Sequence, residues 1–347
     1  MLCHLRERKL EMIIKDTLLR DLGRIIIWYP FRWGILLLSL SIVIKVGRIM
    51  GKIESLYNRK RIVIMGQNIQ RALRCTPKEA HHIARLNLEL HYIHLLELFK
   101  FPQLSTKNID HFVELRGLEH LDSCLEHKRG VILVHLHFGT MQIPLIALGH
   151  KGYCMNQIGQ REPDNNNLSF IHRKVALRQR LKIEATIPAD IINIGMTSTL
   201  RPAFRCLEQN EVLMITGDGR GGANPVGNKY IIVDFLGQKT HFPPGPVTIA
   251  RKTGAKMLPL FCFRLPDGRQ RVEIHPPLPL SFGPNKELDI HTNTQLYADA
   301  LSKEVTNHPE HWMFWQEFTP GLMICKEICF NKPSPKPHSE FNTGDLH

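Results

Sequence analysis

The stretch that decides the fold is Val131–Gln142, with the sequence VILVHLHFGTMQ. Its first four residues are aliphatic, and three of them are β-branched, which is typical of a strand buried on both faces. His135 and His137 follow, and then come a Gly-Thr turn and a second apolar run. The pattern predicts a buried strand that delivers His137 to the edge of a sheet, with a helix behind it. Ligands of open α/β sheets bind at this edge, outside the carboxyl ends of the strands.

A histidine in this position has a second interpretation, because on spacing alone most such side chains are structural. Gln142 shifts the balance, since it follows His137 by five positions and matches the spacing H-x-x-x-x-D/E. This spacing can place a hydrogen-bonding side chain behind the imidazole. His135 shares a strand face with His137 by the two-residue period, and we interpret it as structural.

Composition favours a globular protein with an anionic partner. The 347 residues are 43% hydrophobic, and 45 Lys and Arg face 32 Asp and Glu, giving a formal charge of +13. Such a charge suits an acidic membrane surface or an acidic carrier protein, whereas the absence of RNA-binding, zinc-finger or basic-zipper patterns argues against nucleic acid. The eight cysteines are scattered and include no C-x-x-C pair, which predicts reduced thiols in a cytosolic compartment and no metal site.

The N-terminal region carries an apolar stretch of twenty residues, Ile25–Ile44, interrupted by Pro30 and Arg32. Its length suits either a membrane span or a helix in the interface, and a buried core helix is the alternative. Tryptophan and tyrosine side chains within it suit the level of the lipid headgroups. We therefore predict an N-terminal membrane-associating helix within a segment that covers residues 1–50.

Downstream, predicted strands and helices alternate along the chain. The sharpest helix signal is Thr76-Pro77-Lys78-Glu79, a capping box with proline at the first helical position. The alternation predicts an α/β fold with a mixed, mainly parallel sheet flanked by helices. We assign residues 51–320 to this domain and residues 321–347 to a C-terminal tail, which we predict to be disordered.

The run Gly217-Asp218-Gly219-Arg220-Gly221-Gly222 matches the dinucleotide-binding pattern G-x-G-x-x-G and follows a predicted strand. No helix is predicted after it, so a bound pyrophosphate would lack the helix N-terminus that such sites use. A loop that accommodates an anion, or a plain hairpin loop, is the preferred interpretation.

Four sequence blocks together resemble a known family. They are HFGTMQ after the central strand, GQREPDNN, the run from MITGDGRGG to HFPPGPVTIARKTGA, and PEHWMFW near the end. In this order they resemble the lipid A biosynthesis (lauroyl/myristoyl-type) acyltransferases of the lysophospholipid acyltransferase superfamily. The resemblance covers about residues 36–318 and implies a glycerolipid acyltransferase-like fold.

The resemblance implies an enzyme on the cytoplasmic face of the inner membrane. Such an enzyme transfers a fatty acyl chain from a thioester, acyl carrier protein or coenzyme A, to a hydroxyl or amine of a glycolipid or lysolipid. It needs no bound cofactor, and its partners are the carrier and membrane lipids. By position His137 is the general base, and an imidazole can take a proton from a hydroxyl near neutral pH. The substrate-binding candidates are Arg161, Asp218, Arg220 and Gly245.

One position departs from the family, because Gln142 stands where the acid is expected. An amide oxygen can orient the imidazole but cannot stabilise the imidazolium by charge, and the same exchange in a serine protease triad lowers the rate about 10⁴-fold. Three alternatives stay open. Gln142 suffices, a carboxylate from elsewhere such as Asp164 or Asp218 replaces the acid, or the chain binds lipid or carrier without catalysis.

Overall fold

The computed structural model describes residues 17–159, 169–193, 200–218 and 230–325. The α-helices in these ranges are α1 (Leu18–Ile26), α2 (Arg32–Leu37), α3 (Leu40–Tyr57), α4 (Arg59–Leu73), α5 (Pro77–Glu97), α6 (Ile109–Phe112), α7 (Leu118–Leu125), α8 (Ile143–His150), α9 (Arg178–Glu184), α10 (Arg201–Glu208), α11 (Gly245–Thr253) and α12 (Lys286–Asn307). The strands are β1 (Val113–Arg116), β2 (Val131–His135), β3 (Met155–Gly159), β4 (Ala189–Asn193), β5 (Val212–Thr216), β6 (Ile231–Phe235), β7 (Gln238–Phe242), β8 (Lys256–Arg264) and β9 (Gln270–Ile274).

Seven of these strands form one sheet, in the order β1-β9-β8-β2-β5-β3-β4. Its neighbouring strands are parallel except for the antiparallel pair of β8 and β9. This arrangement confirms the predicted mixed, mainly parallel sheet. Strands β6 and β7 form a separate antiparallel hairpin. The central strand is β2, as the aliphatic run predicts.

Both faces of the sheet are covered by helices, which explains why β2 is apolar at successive positions. Ile132 and Val134 pack into a core with helices α4, α5, α10, α11 and α12. Val131 and Leu133 point to the other face and pack with helices α7 and α8. All five residues of β2 are buried, so the strand is enclosed on both faces up to its last residue, His135.

The N-terminal apolar stretch is divided among several helical segments, so the predicted single membrane-associating helix is not confirmed. A π-helical segment at Ile27–Phe31 contains Pro30, and the chain is extended at Leu38 and Ser39 between α2 and α3. None of the described helices is both long enough and apolar enough to cross a bilayer. The predicted boundary at residues 50 and 51 falls inside α3, which packs closely on α5 because Gly51 lies against the Glu89 backbone.

Helix α12 begins at Lys286, because the Asn285 side chain accepts from the main-chain amides of Glu287 and Leu288. The predicted C-terminal tail differs from the structure. Residues 321–325, assigned by prediction to the tail, pack beside β7, since Met323 and Ile324 are buried. The capping box at Thr76 and Glu79 is confirmed.

Candidate active site

The central strand and its neighbour place two side chains at one edge of the sheet. Strands β2 and β5 are parallel, and His135 lies opposite Thr216 in their register. His137 and Asp218 each follow these paired residues by two positions, so both lie just outside the carboxyl ends of the strands. They are 81 residues apart in sequence. The edge is the one at which ligands of α/β sheets bind.

The imidazole of His137 is held by the Asp218 carboxylate. Its Nδ1 lies 2.9 Å from Asp218 Oδ1, and the main-chain N–H of His137 donates to the same oxygen at 3.0 Å. The Asp218 side chain is fully buried, whereas 27% of the His137 side chain is exposed. Within the part of the chain that the structure describes, no hydrogen bond occupies Nε2 of His137. One imidazole nitrogen is therefore anchored by Asp218, and the other makes no hydrogen bond to the described residues.

A segment near the C terminus encloses this pair. The Trp312 indole N–H donates to Asp218 Oδ2 at 2.8 Å, and the Phe314 ring lies 4.1 Å from the imidazole, centroid to centroid. Main-chain bonds join the same segment to the loop after β2: Gly139 N–H donates to His311 O and Met313 N–H to His137 O. This aromatic segment is the PEHWMFW block of the sequence, and it packs against the His137 and Asp218 pair. No sequence signal assigned Trp312 to Asp218.

Gly139 allows the turn that follows His137. Its φ is +62°, in the left-handed region, and a Cβ added there would overlap the Cys262 carbonyl oxygen. Only glycine fits this close approach without strain. Burial raises the pKa of the neighbouring Cys262 thiol to about 12, so this cysteine is an inert packing group.

Gln142 does not occupy the place expected of it. It is the residue that precedes α8, and within the described ranges its side chain makes no hydrogen bond to His137. Nδ1 of His137 bonds to Asp218 instead. The reason is geometric, because Gln142 has helical φ and ψ at the start of α8, whereas Asp218 arrives beside the imidazole through the register of β2 and β5.

His135 is a structural residue in this geometry. It is buried, and its Nδ1 lies 2.8 Å from Leu136 O while Nε2 lies 3.3 Å from Thr216 Oγ1. Because a carbonyl only accepts, Nδ1 carries the proton and Nε2 accepts from the threonine hydroxyl. Burial lowers the pKa of His135 to about 4, so the ring is neutral at physiological pH.

Within the described ranges, the other predicted site residues are not seen in contact with His137. Arg161, Asp164 and Arg220 lie outside the described residues. Gly245 opens α11, and apart from its chain neighbours and its own helix backbone no atom of the described residues lies within 4 Å of the position that a Cβ would take there. The Tyr297 hydroxyl donates to Pro243 O at 2.9 Å and lies 3.4 Å from Gly217 O, which links the segment before Gly245 to the residue before Asp218. No group of three or more potential metal ligands forms among the described residues.

A buried ion pair is linked to the site through the segment that encloses His137. The guanidinium of Arg264, at the end of β8, forms two bonds with the Glu97 carboxylate, and both side chains are only 5% exposed. Gln270 also donates to Glu97, at 3.0 Å. The main-chain N–H of Arg264 donates to His311 Nε2 at 2.9 Å, and His311 precedes Trp312. The pair thereby connects the end of β8 to the segment that encloses His137.

A cavity of about 200 Å³ lies beside this ion pair. It is bounded by Glu97, Arg264 and Gln270 at one side and by Ile143, the residue after Gln142. Most of the remaining wall is apolar and comes from the α2–α3 break and from the segments near residues 101–104 and 112, namely Leu38, Phe101, Leu104 and Phe112. The cavity thus lies between the N-terminal segment and the start of the helix behind His137.

The family model described as bacterial lipid A biosynthesis acyltransferase matches residues 12–318, which is most of the chain. The chain belongs to this family. The match includes both members of the His137 and Asp218 pair and the aromatic segment that encloses them.

Two kinds of named acyltransferase are similar in sequence to this member of the lipid A acyltransferase family. Phosphatidylinositol mannoside acyltransferase of Mycobacterium tuberculosis is 25% identical over 228 residues, which cover 63% of this chain and 65% of the relative. The same-named protein of Mycolicibacterium smegmatis is 24% identical over 225 residues. Lipid A biosynthesis lauroyltransferase of Escherichia coli is 23% identical over 288 residues, 81% of this chain and 86% of that relative. The chain thus spans slightly less than two thirds of the length of the mycobacterial relatives.

Proposed function

We propose that this chain is an acyltransferase that moves a fatty acyl chain from a thioester donor to a hydroxyl or amine of a glycolipid or lysolipid. The observation that carries this proposal is the 2.9 Å contact between His137 Nδ1 and the buried Asp218 carboxylate, with Nε2 left open. The family and the names of the relatives support acyl transfer to a glycolipid. The donor is acyl carrier protein or coenzyme A thioester, as expected from the sequence.

His137 acts as the general base, and Asp218 supplies the acid that Gln142 lacks. The ionised carboxylate only accepts hydrogen bonds, so the proton between the two side chains lies on Nδ1. Nε2 is therefore unprotonated and able to accept a proton. Asp218 fixes this tautomer and stabilises the positive charge that develops on the ring. Its complete burial excludes direct contact with substrate, so we propose an orienting role rather than the substrate-binding role first expected.

The reaction needs no covalent enzyme intermediate. Nε2 of His137 removes the proton from the acceptor hydroxyl, and the resulting oxygen attacks the thioester carbonyl carbon. The new C–O bond forms as the carbonyl oxygen takes up negative charge. That intermediate collapses, the C–S bond breaks, and the proton on Nε2 passes to the leaving sulfur. One ester and one thiol result, and the imidazole returns to its starting state.

The cavity beside Ile143 suits the hydrocarbon part of the donor. Its wall is mostly apolar, and apolar surface is favourable for an acyl chain that leaves water. Its wall includes Leu38 of the N-terminal segment and Ile143, the first residue of the helix behind His137. We propose that the donor chain lies there during transfer.

The N-terminal segment supports a membrane location, because α1 exposes its apolar side chains and turns Asp21 and Arg24 inward. Asp21 and Arg24 form an ion pair at 2.7 Å, each only 16% exposed, and Ser169 donates to the same carboxylate. The opposite face is apolar and solvent-exposed, and its members are Leu18, Leu19, Leu22, Ile25 and Ile26. An apolar face directed away from the core matches the apolar boundary of a bilayer.

Helix α3 adds positive charge to this segment. Lys45, Arg48 and Lys52 are exposed on it, interleaved with exposed aliphatic side chains such as Ile49. Lysine and arginine near a lipid surface favour anionic headgroups. We therefore propose that the protein acts at the cytoplasmic face of the inner membrane, where its donor and acceptor meet.

Leu19→Glu is expected to weaken binding to vesicles that contain anionic phospholipid by about tenfold or more, since burial of one leucine contributes about 1.5–3 kcal/mol. Leu19 is 80% exposed, so the fold should be unaffected. Vesicle flotation measures the bound fraction. The matched control is Leu288→Glu, because Leu288 is 61% exposed at the start of α12. Equal binding by the Leu19 variant and the wild type would count against membrane docking by α1.

The proposed function is tested by product analysis. The purified protein is incubated with acyl carrier protein or coenzyme A thioesters of several chain lengths and a membrane glycolipid extract. Mass spectrometry should show an acceptor in which one acyl group replaces one hydrogen. The amount of this product should rise in proportion to the amount of protein. If no donor yields an acylated lipid while a stable lipid complex still forms, the chain is a binding protein of the same fold.

A further inference from the structure

Trp312 makes a bond that packing does not require. Its side chain is fully buried, and its indole N–H donates to Asp218 Oδ2 at 2.8 Å. The oxygen on the other side, Oδ1, accepts from the imidazole and from the main chain of His137. Among the described residues Oδ2 has one other hydrogen bond, a longer one of 3.2 Å from the same main-chain N–H. The indole is thus the principal donor to this half of the carboxylate.

We propose that Trp312 is a positioning residue for catalysis, which holds Asp218 in the orientation that the imidazole needs. This inference rests on the proposed acyl transfer by His137. Trp312 does not reach the reacting atoms, so it acts only through Asp218.

The physical reason lies in the burial of the carboxylate. A buried charge requires hydrogen-bond donors on both oxygens, and bonds to charged groups are stronger than bonds between neutral ones. Without the indole N–H, Oδ2 would keep, of its bonds to the described residues, only the longer main-chain one. The carboxylate would then be free to rotate about its terminal torsion, which has a broad energy profile. Rotation would carry Oδ1 away from Nδ1. The hydrogen bond that keeps the proton of His137 on Nδ1 would then be lost.

The main chain of the same segment makes the placement rigid. Phe138 and Trp312 form an antiparallel bridge, flanked by the bonds from Gly139 N–H to His311 O and from Met313 N–H to His137 O. The Asn87 side chain donates to the carbonyls of Glu310 and Trp312, which ties the segment to α5. The main chain at Trp312 is therefore held in a fixed position relative to the main chain at His137.

Trp315 provides a matched comparison within three residues of Trp312. It is also fully buried, and its indole N–H donates to a main-chain carbonyl, Pro309 O, at 2.6 Å. Trp312→Phe and Trp315→Phe therefore remove the same chemical group from the same buried segment. Only the first removes a donor from Asp218.

The test measures kcat and KM of the two phenylalanine variants, with thermal unfolding of each. Trp312→Phe is expected to lower kcat by about 10- to 100-fold, the range that the loss of one bond to a charged group implies, with KM within about twofold. Trp315→Phe should change kcat by less than about threefold at a similar loss of stability. Equal losses of kcat in the two variants, or unchanged kcat in Trp312→Phe, would overturn the inference.

A double-mutant comparison tests whether Trp312 acts through Asp218. In an Asp218→Ala background, Trp312→Phe should lower the residual rate no further, because the group that it positions is gone. A further loss of kcat as large as that of Trp312→Phe alone would show a role independent of Asp218 and overturn the inference. If Trp312→Phe does not fold, benzothienylalanine at position 312 replaces the indole N–H by sulfur and makes the same comparison.

The outcomes also separate this inference from the proposed function. Absence of acyl transfer by the wild type overturns both. Transfer that depends on His137 and Asp218 but not on Trp312 overturns the positioning role alone.

Discussion

Asp218→Asn is expected to lower kcat by about 10⁴-fold, the loss seen when an amide replaces the acid of a catalytic triad. The amide would accept from Nδ1 less strongly and would not stabilise the imidazolium by charge. KM for the acceptor should change little, because Asp218 is fully buried and makes no contact with solvent. Steady-state rates of thiol release and ester formation measure the effect.

The controls decide between Asp218 and Gln142 as the partner of His137. Gln142→Ala should change kcat by only a few-fold, since the structure joins Nδ1 to Asp218. His137→Ala should reach the same low rate as Asp218→Asn or a lower one, and the double variant should be no slower than His137→Ala, because the two side chains act as a unit. A large loss in Gln142→Ala together with an active Asp218→Asn protein would refute the assignment.

Glu97→Ala is expected to destabilise the fold by about 3–5 kcal/mol, because it leaves the Arg264 guanidinium buried without its counter-charge. Both side chains are 5% exposed, and Gln270 loses an acceptor as well. The expected consequence extends to the site, since the main chain of Arg264 holds His311. Denaturant unfolding, followed by tryptophan fluorescence, measures the change in the free energy of unfolding.

Two further variants test the cause of that loss. The double variant Glu97→Leu with Arg264→Met should recover most of the stability that Glu97→Ala loses. It removes the Arg264 charge together with its partner, so no buried charge is left unpaired. Asp110→Ala breaks the ion pair with Lys151, whose side chain is 36% exposed while that of Asp110 is 65% exposed, and should cost at most about 1 kcal/mol. A Glu97→Ala loss as small as that of Asp110→Ala would refute the buried-charge explanation.

The central strand could be predicted because its signal is local. An aliphatic, β-branched run needs burial on both faces, and a histidine at its carboxyl end reaches the ligand-binding edge of the sheet in any parallel arrangement. The capping box of α5 is local in the same sense, since Thr76 and Glu79 bond to each other. Such features depend on residues a few positions apart, which the sequence displays directly.

The partner of His137 could not be chosen by spacing. The five-residue interval singled out Gln142, whereas the β2–β5 register brings Asp218 to the imidazole from 81 residues away. The apolar length of Ile25–Ile44 likewise suggested one helix, but Pro30 lies in a π-helical segment and the chain is extended at Leu38 and Ser39. The direction in which α1 turns its apolar face depends on what its polar face contacts, here Ser169.

The sequence by itself determined the fold class, the central strand and the site histidine that follows it, because hydrophobic periodicity and capping act over one strand or one helical turn. Only the tertiary structure decided that Asp218 is the acid beside His137, that Trp312 bonds to that acid, and that Glu97 neutralises Arg264. These contacts join residues from separate strands and helices, and their distances depend on strand register and helix packing rather than on separation along the chain.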